Sequence, residues 1–183
     1  MSNVIQEVIQ PGLVRLTLNR PEAYNALSEA MLADLGGALK SISEDPSARV
    51  VVLAALGKAF CAGHDLREMR ESPSEDYYQR LFAQCTDMMM TIQQMPQPVI
   101  AEVQGVATAA GCQLVAMCDL AVASEKARFA VSGINLGLFC ATPSVPLSRN
   151  LSRKQALELL LTGEFLSAED ARERGLINQV VPA

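Results

Sequence analysis

What is scarce in this sequence narrows its chemistry before any motif is read. Its 183 residues include a single histidine, His64, which excludes a metal site built from several imidazoles within the chain. Cysteine occurs five times, at Cys61, Cys85, Cys112, Cys118 and Cys140, and never as a C-x-x-C pair. The odd count and scattered spacing argue against a disulfide framework and a zinc site, and reduced, small core residues are expected. No run approaches the roughly 18 apolar residues of a membrane helix. The opening MSNVIQEVIQPG has no basic stretch before a long apolar one, and no arginine-rich transit pattern. The expectation is a cytosolic protein without membrane contact. A basic surplus is missing too: 15 Lys and Arg face 20 Asp and Glu, for a net charge of −5. No nucleic-acid partner is expected. Neither a G-x-x-x-x-G-K-[ST] loop nor a G-x-G-x-x-G fingerprint is present.

What is present is a globular mixture, half apolar and 19% charged, long enough for one domain over residues 1–183 with a real core. Two extended runs, 3–9 and 13–19, meet at Pro11-Gly12, a turn signal. Leu27, Met31, Leu35, Leu39 and Ile42 recur at helical spacing over 27–43. The run RVVVLAA, 49–55, is continuous and β-branched, as a strand covered on both faces should be. Ser74 reads as the cap of a helix ending near Met95, with an apolar side of Tyr78, Leu81, Phe82, Cys85, Met88, Met89 and Ile92. Val99–Val103 reads as a buried strand, and CQLVAMCDLAVA as a helix passing into a strand. Ser152 and Gln155 match a capping box before ALELLL, Ser167 caps a short helix ending at Gly175, and LINQVV reads as a last strand. Strands alternating with helices give an α/β fold.

Two strand ends run into turns of small residues: Phe60–Leu66 after RVVVLAA, and Thr108–Gly111 after VIAEV. Small side chains let a ligand approach the backbone, and a helix starting near Ala110 leaves its first N–H groups free for a developing oxyanion. On local pattern alone, tight packing turns are the commoner explanation.

Five segments taken together carry a resemblance: LNRPEAYNALS, GKAFCAGHDL, PVIAEVQGVATAAGCQLVAMCDLAVAS, ARFAVSGINLGL and LLTGEFLSAEDARERGLINQVV. In order and spacing they resemble the enoyl-CoA hydratase/isomerase (crotonase) superfamily from about residue 4 to the end. The wording GHDL, ATAAGCQLVA and GLFC is particularly similar to its enoyl-CoA hydratase domain-containing protein 3 group. The resemblance implies a ClpP/crotonase-like spiral of repeated ββα units, with an acyl-CoA thioester as substrate and partner. Coenzyme A enters as part of that substrate, with no separate cofactor and no metal. It implies an oxyanion hole of two backbone N–H groups, placed by position on Ala62 and Ala110. Coenzyme A contacts fall on Glu22, Ala23 and Tyr24 and on His64, Asp65 and Leu66.

The sequence departs from that pattern where hydratases carry their two glutamates. One position reads Gln113 and the other Gly133. An amide is no general base near neutrality, so weak or absent hydratase activity is expected. The AGHD segment resembles methylmalonyl-CoA decarboxylases, which makes a lyase assisted by His64 one alternative and a non-catalytic thioester binder another. Glu68 and Glu102 are weaker candidate substitutes, and Asp119 reads as structural. Met88–Met90 reads as core, or as the wall of an acyl tunnel. The family's helical region beyond the VVP segment is not in this sequence. A homotrimer or hexamer is therefore implied only by resemblance.

Overall fold

The computed structural model describes residues 2–71 and 73–183. Strands β1 (Val4–Gln10) and β2 (Leu13–Leu18) form an antiparallel hairpin. Gly12 closes it at a φ of +85°, a conformation that a side chain disfavours. Helix α1 (Glu29–Ser43) follows, its N-terminus capped by the Ser28 hydroxyl, which accepts the Met31 N–H at 3.1 Å. Its buried positions Met31, Leu32, Leu35, Leu39 and Ile42 form the apolar stripe that lies on α3.

Three further units repeat one plan: a strand in a large sheet, a short strand in a small sheet, then helix. The first is β3 (Val50–Ala55), β4 (Ala59–Cys61), α2 (Leu66–Glu71) and α3 (Glu75–Gln94). The second is β5 (Val99–Val103), β6 (Val106–Thr108) and α4 (Ala110–Met117). The third is β7 (Leu120–Ser124), β8 (Arg128–Ala130), a 3₁₀ turn over Ser132–Leu136 and α5 (Ala141–Asn150). Then come α6 (Arg153–Thr162), β9 (Leu166–Ser167), α7 (Ala168–Arg174) and β10 (Gln179–Val181).

The large sheet runs β1-β2-β3-β5-β7-β10 and is parallel beyond the first hairpin; the small one runs β4-β6-β8-β9. This is the expected spiral. Each turn of it moves one strand along both sheets, so the segments leaving β4, β6 and β8 are stacked side by side. Parallel pairing needs helical crossovers that cover the sheet, which is why Val51, Leu53, Val99, Ala101 and Val103 are all buried.

Most elements lie where the pattern of the sequence puts them, including the capping box at Ser152 and the cap at Ser167, which forms a capping box as well. On α3 the buried face takes Tyr77 instead of Tyr78 and Phe82, which are turned towards α2 and His64. Helices α2 and α5 and the 3₁₀ turn have no counterpart in the periodicity reading. Helix α5 carries Pro143 and Pro146, which mask a helix in sequence, although both are buried in it here.

Candidate active site

The parallel pairing of β4 with β6, with Cys61 opposite Ala107, brings the two small-residue turns together. Their contact is tight. A Cβ on Gly111 would stand 2.0 Å from the Cys61 carbonyl oxygen, and one on Gly63 would stand 2.9 Å from the Ala109 Cβ and 3.1 Å from the Ala110 nitrogen. Only glycine fits at either position, so the glycines in CAGHD and AAGC act as the joint between two segments distant in sequence.

In the first turn, two N–H groups are engaged with carbonyls of an earlier segment. That of Ala62 donates to the Tyr24 carbonyl at 3.1 Å, and that of Asp65 to the Leu27 carbonyl at 3.3 Å. The Gly63 N–H faces the Cys61 sulfur. The His64 N–H, between them, has no backbone or side-chain acceptor among the described residues. In the second turn the Ala109 N–H donates to Ala130 and the Gln113 N–H to Ala109, while the Ala110 N–H is open. Ala109, the residue before α4, offers no side-chain cap and holds a φ of +52° and ψ of −123°, strained for alanine. The Ala62 assignment is therefore corrected: its N–H is spent on Tyr24, and the open donor is two residues on, at His64. Ala110 has the open N–H that its expected role requires.

The His64 ring packs edge-on against Phe82, with centroids 5.3 Å apart at 80°. Its Nδ1 is shut off from solvent and has no hydrogen-bond partner. Burial pushes its pKa below the ordinary value, only partly offset by the Leu27 backbone, so the imidazole is neutral near pH 7.

Glu22, Ala23 and Tyr24 lie together with Ala62, His64, Asp65 and Leu66 around one cleft of about 680 Å³. A polar knot fixes these loops to each other. The Asn25 side chain, buried and at a φ of +53°, accepts from the Arg20 N–H and donates to the Leu56 and Ala59 carbonyls. The Arg20 guanidinium reaches Asp65 at 3.3 Å and the Ala26 carbonyl at 3.3 Å.

A second cleft, of about 380 Å³, runs between α3, α4 and α5 and is lined by Gln113, Ala116 and Met117 of α4 and by Met89 and Met90 of α3. Gln113 is 7% exposed, and its Oε1 is buried without a donor. Met88 and Met89 belong to the core, as one expectation had it, and Met89 and Met90 also line this cleft. Gly133 lies in the 3₁₀ turn and is not among the residues lining either cleft. A Cβ there would meet the Cys140 sulfur at 2.5 Å and the Leu138 carbonyl at 2.9 Å. The side chain of Cys140 thus occupies the start of the path that a glutamate at 133 would need.

The candidate substitutes for the missing carboxylates are committed elsewhere. Glu102 holds Arg15 through two contacts at 2.7 and 2.9 Å, and Glu68 accepts the Glu29 N–H at 2.9 Å. Asp119 accepts the Val99 N–H at 2.7 Å, a structural duty, as expected. Cys61, Cys85 and Cys112 are buried thiols, pushed up to about 12 by desolvation. Among the described residues no group of three or more His, Cys, Asp or Glu could hold a metal ion. No helix among them is long and apolar enough to cross a membrane.

The family model for enoyl-CoA hydratase/isomerase matches residues 8–183. Xenopus laevis enoyl-CoA hydratase domain-containing protein 3, mitochondrial, is 50% identical over 171 residues, which cover 93% of this chain and 58% of the frog protein. The chain thus spans less than two thirds of that relative. A crystal structure of a Mycobacterium smegmatis enoyl-CoA hydratase superposes with a TM-score of 0.97 at 66% identity, covering 98% of this chain and 70% of that one. Human enoyl-CoA hydratase domain-containing protein 3 gives a TM-score of 0.94 at 45% identity, covering 98% and 71%. The similarity to this group read from the sequence is borne out. The cytosolic expectation is not: the frog relative and its mouse and human counterparts are mitochondrial by name, so the missing leader pattern is no guide to location. With matching motifs, sheet order and superposition, the chain belongs to the enoyl-CoA hydratase/isomerase family, the crotonases.

Proposed function

We propose that residues 1–183 form a single crotonase core that binds an acyl-CoA thioester and polarises its carbonyl oxygen between the His64 and Ala110 backbone N–H groups. One observation carries this reading: two turns locked together by Gly63 and Gly111 leave both of these N–H groups without an acceptor among the described residues. Donors fixed in advance need no reorganisation as negative charge develops, and the start of α4 adds its dipole. The first cleft takes the coenzyme A portion along Glu22, Ala23, Tyr24, Asp65 and Leu66. The second takes the acyl chain past Gln113.

Enolate stabilisation is the chemistry such donors support. Hydration also needs a proton acceptor and a proton donor at adjacent carbons, and Gln113 with Gly133 supplies neither. The reading is therefore a thioester-binding, enolate-stabilising member of the family with weak or no hydratase activity.

The test is calorimetric binding of butyryl-CoA against S-butyl-CoA, which has the same chain but no carbonyl. A working hole binds the thioester tighter, by about tenfold for one or two hydrogen bonds. Equal affinity removes the hole from the reading, and failure of both to bind removes the thioester site itself.

A further inference from the structure

The cleft between α3, α4 and α5 has a chemical asymmetry that the thioester reading does not use. At one wall is the Gln113 amide, buried, with its Oε1 lacking any donor. The thioethers of Met89, Met90 and Met117 line it as well. Arg149, at the end of α5, is the one charged side chain among the described lining residues. Two other polar liners are already spent within the protein. Gln93 donates to the Met117 carbonyl at 2.6 Å, and Asn150 donates to the carbonyls of Ala116 and Pro146 at 3.1 and 2.9 Å. Those bonds brace the walls and leave Arg149 as the unspent cation.

Four of the arginines, Arg15, Arg20, Arg172 and Arg174, hold a carboxylate; Arg149, exposed at the end of α5, is one of those that do not, and it is the one that lines this cleft. Arg149 has neither an ion pair nor a hydrogen bond among the described residues. A planar guanidinium without a partner, at a cleft with no other charged side chain among its described lining residues, is suited to a ligand carboxylate held by two parallel N–H contacts.

We infer that this cleft selects acyl chains ending in a carboxylate, with Arg149 holding the terminal anion and the methionines lying along the methylenes. Gln113 then meets a hydroxyl or a water near the thioester, which would give its buried oxygen a donor. The inference rests on the acyl-thioester reading and adds the substrate class to it.

The experiment compares calorimetric affinities of adipoyl-CoA and hexanoyl-CoA, matched in length and differing in the terminal group, for the parent chain, Arg149→Met and Arg149→Glu. Methionine keeps the apolar stem and removes the charge. The parent is expected to prefer adipoyl-CoA by about tenfold. The ratio falls to about one in Arg149→Met and inverts in Arg149→Glu. Equal affinities in the parent, or a preference that survives Arg149→Met, overturn the carboxylate selection while acyl-CoA binding stands. If neither thioester binds the parent, the acyl-thioester reading falls and the inference falls with it.

Discussion

At the scale of single residues, the site turns on which N–H groups of two short turns are already in use. The stretch CAGHD signalled a close backbone approach, but the choice between Ala62 and His64 depends on the carbonyls of Tyr24 and Leu27, some 40 positions earlier. Sequence order cannot supply that pairing, whereas Ala110 was legible because a helix start exposes its own donors. His64 has a second, side-chain property. Its folded pKa is lowered by burial, so the unfolded chain binds a proton more readily. Stability is therefore complete above about pH 6.5 and declines as the pH falls towards the folded pKa, by at most about 1.4 kcal/mol per pH unit. The urea midpoint should drop between pH 7.5 and 5.5 in the parent and drop less in His64→Gln; parallel curves would contradict this. Gly133 gives a sharper expectation. Because Cys140 and the Leu138 carbonyl crowd its missing Cβ, Gln113→Glu combined with Gly133→Glu should hydrate crotonyl-CoA no faster than Gln113→Glu alone. A double variant well ahead of the single one would show that the 137–140 segment yields easily.

At the scale of elements, α1 shows how little of a helix is decided locally. Its apolar face was plain in sequence, although the Ser28 cap was not read there, yet the helix carries Gly36 and Gly37, both poor helix formers. Packing explains the first only in part, since a Cβ there would touch Met88 at an ordinary 3.6 Å; the second has nothing within 4 Å. Gly37→Ala is thus expected to stabilise the protein by about 0.5–1 kcal/mol and raise the melting temperature by roughly 1–4 °C in scanning calorimetry. No change, or a fall, would mean that this face of α1 is not as open as it stands here. Helix α5 is the opposite case. Pro143 and Pro146 argue locally for a loop, and burial of both prolines with Leu147 against α4 overrides them. The wall of the second cleft was therefore missed in sequence along with the helix that builds it, and Arg149 with it.

At the scale of the molecule, one end is less covered than the rest. Leu136, Leu138 and Phe139 are exposed beside Leu161 and Phe165, and Gly163 lies against Ile134, which joins these into one surface. Contiguous apolar surface of this kind favours association. Sedimentation velocity at rising concentration is expected to show species heavier than one chain, shifting towards the monomer in Leu136→Lys combined with Phe165→Lys. A parent that sediments as a monomer throughout would contradict this. The pairing of β4 with β6 reaches further, into the order of events as the chain is made. His64 leaves the ribosome well before Ala110, and the two turns come together only once Gly111 has seated against Cys61. Until the second ββα unit has been synthesised and has closed on the first, neither turn has a neighbour to be a site with. On the proposed function, the ability to hold a thioester arrives late and in a single step, so ligand binding would report on the completed spiral and not on any one of its turns.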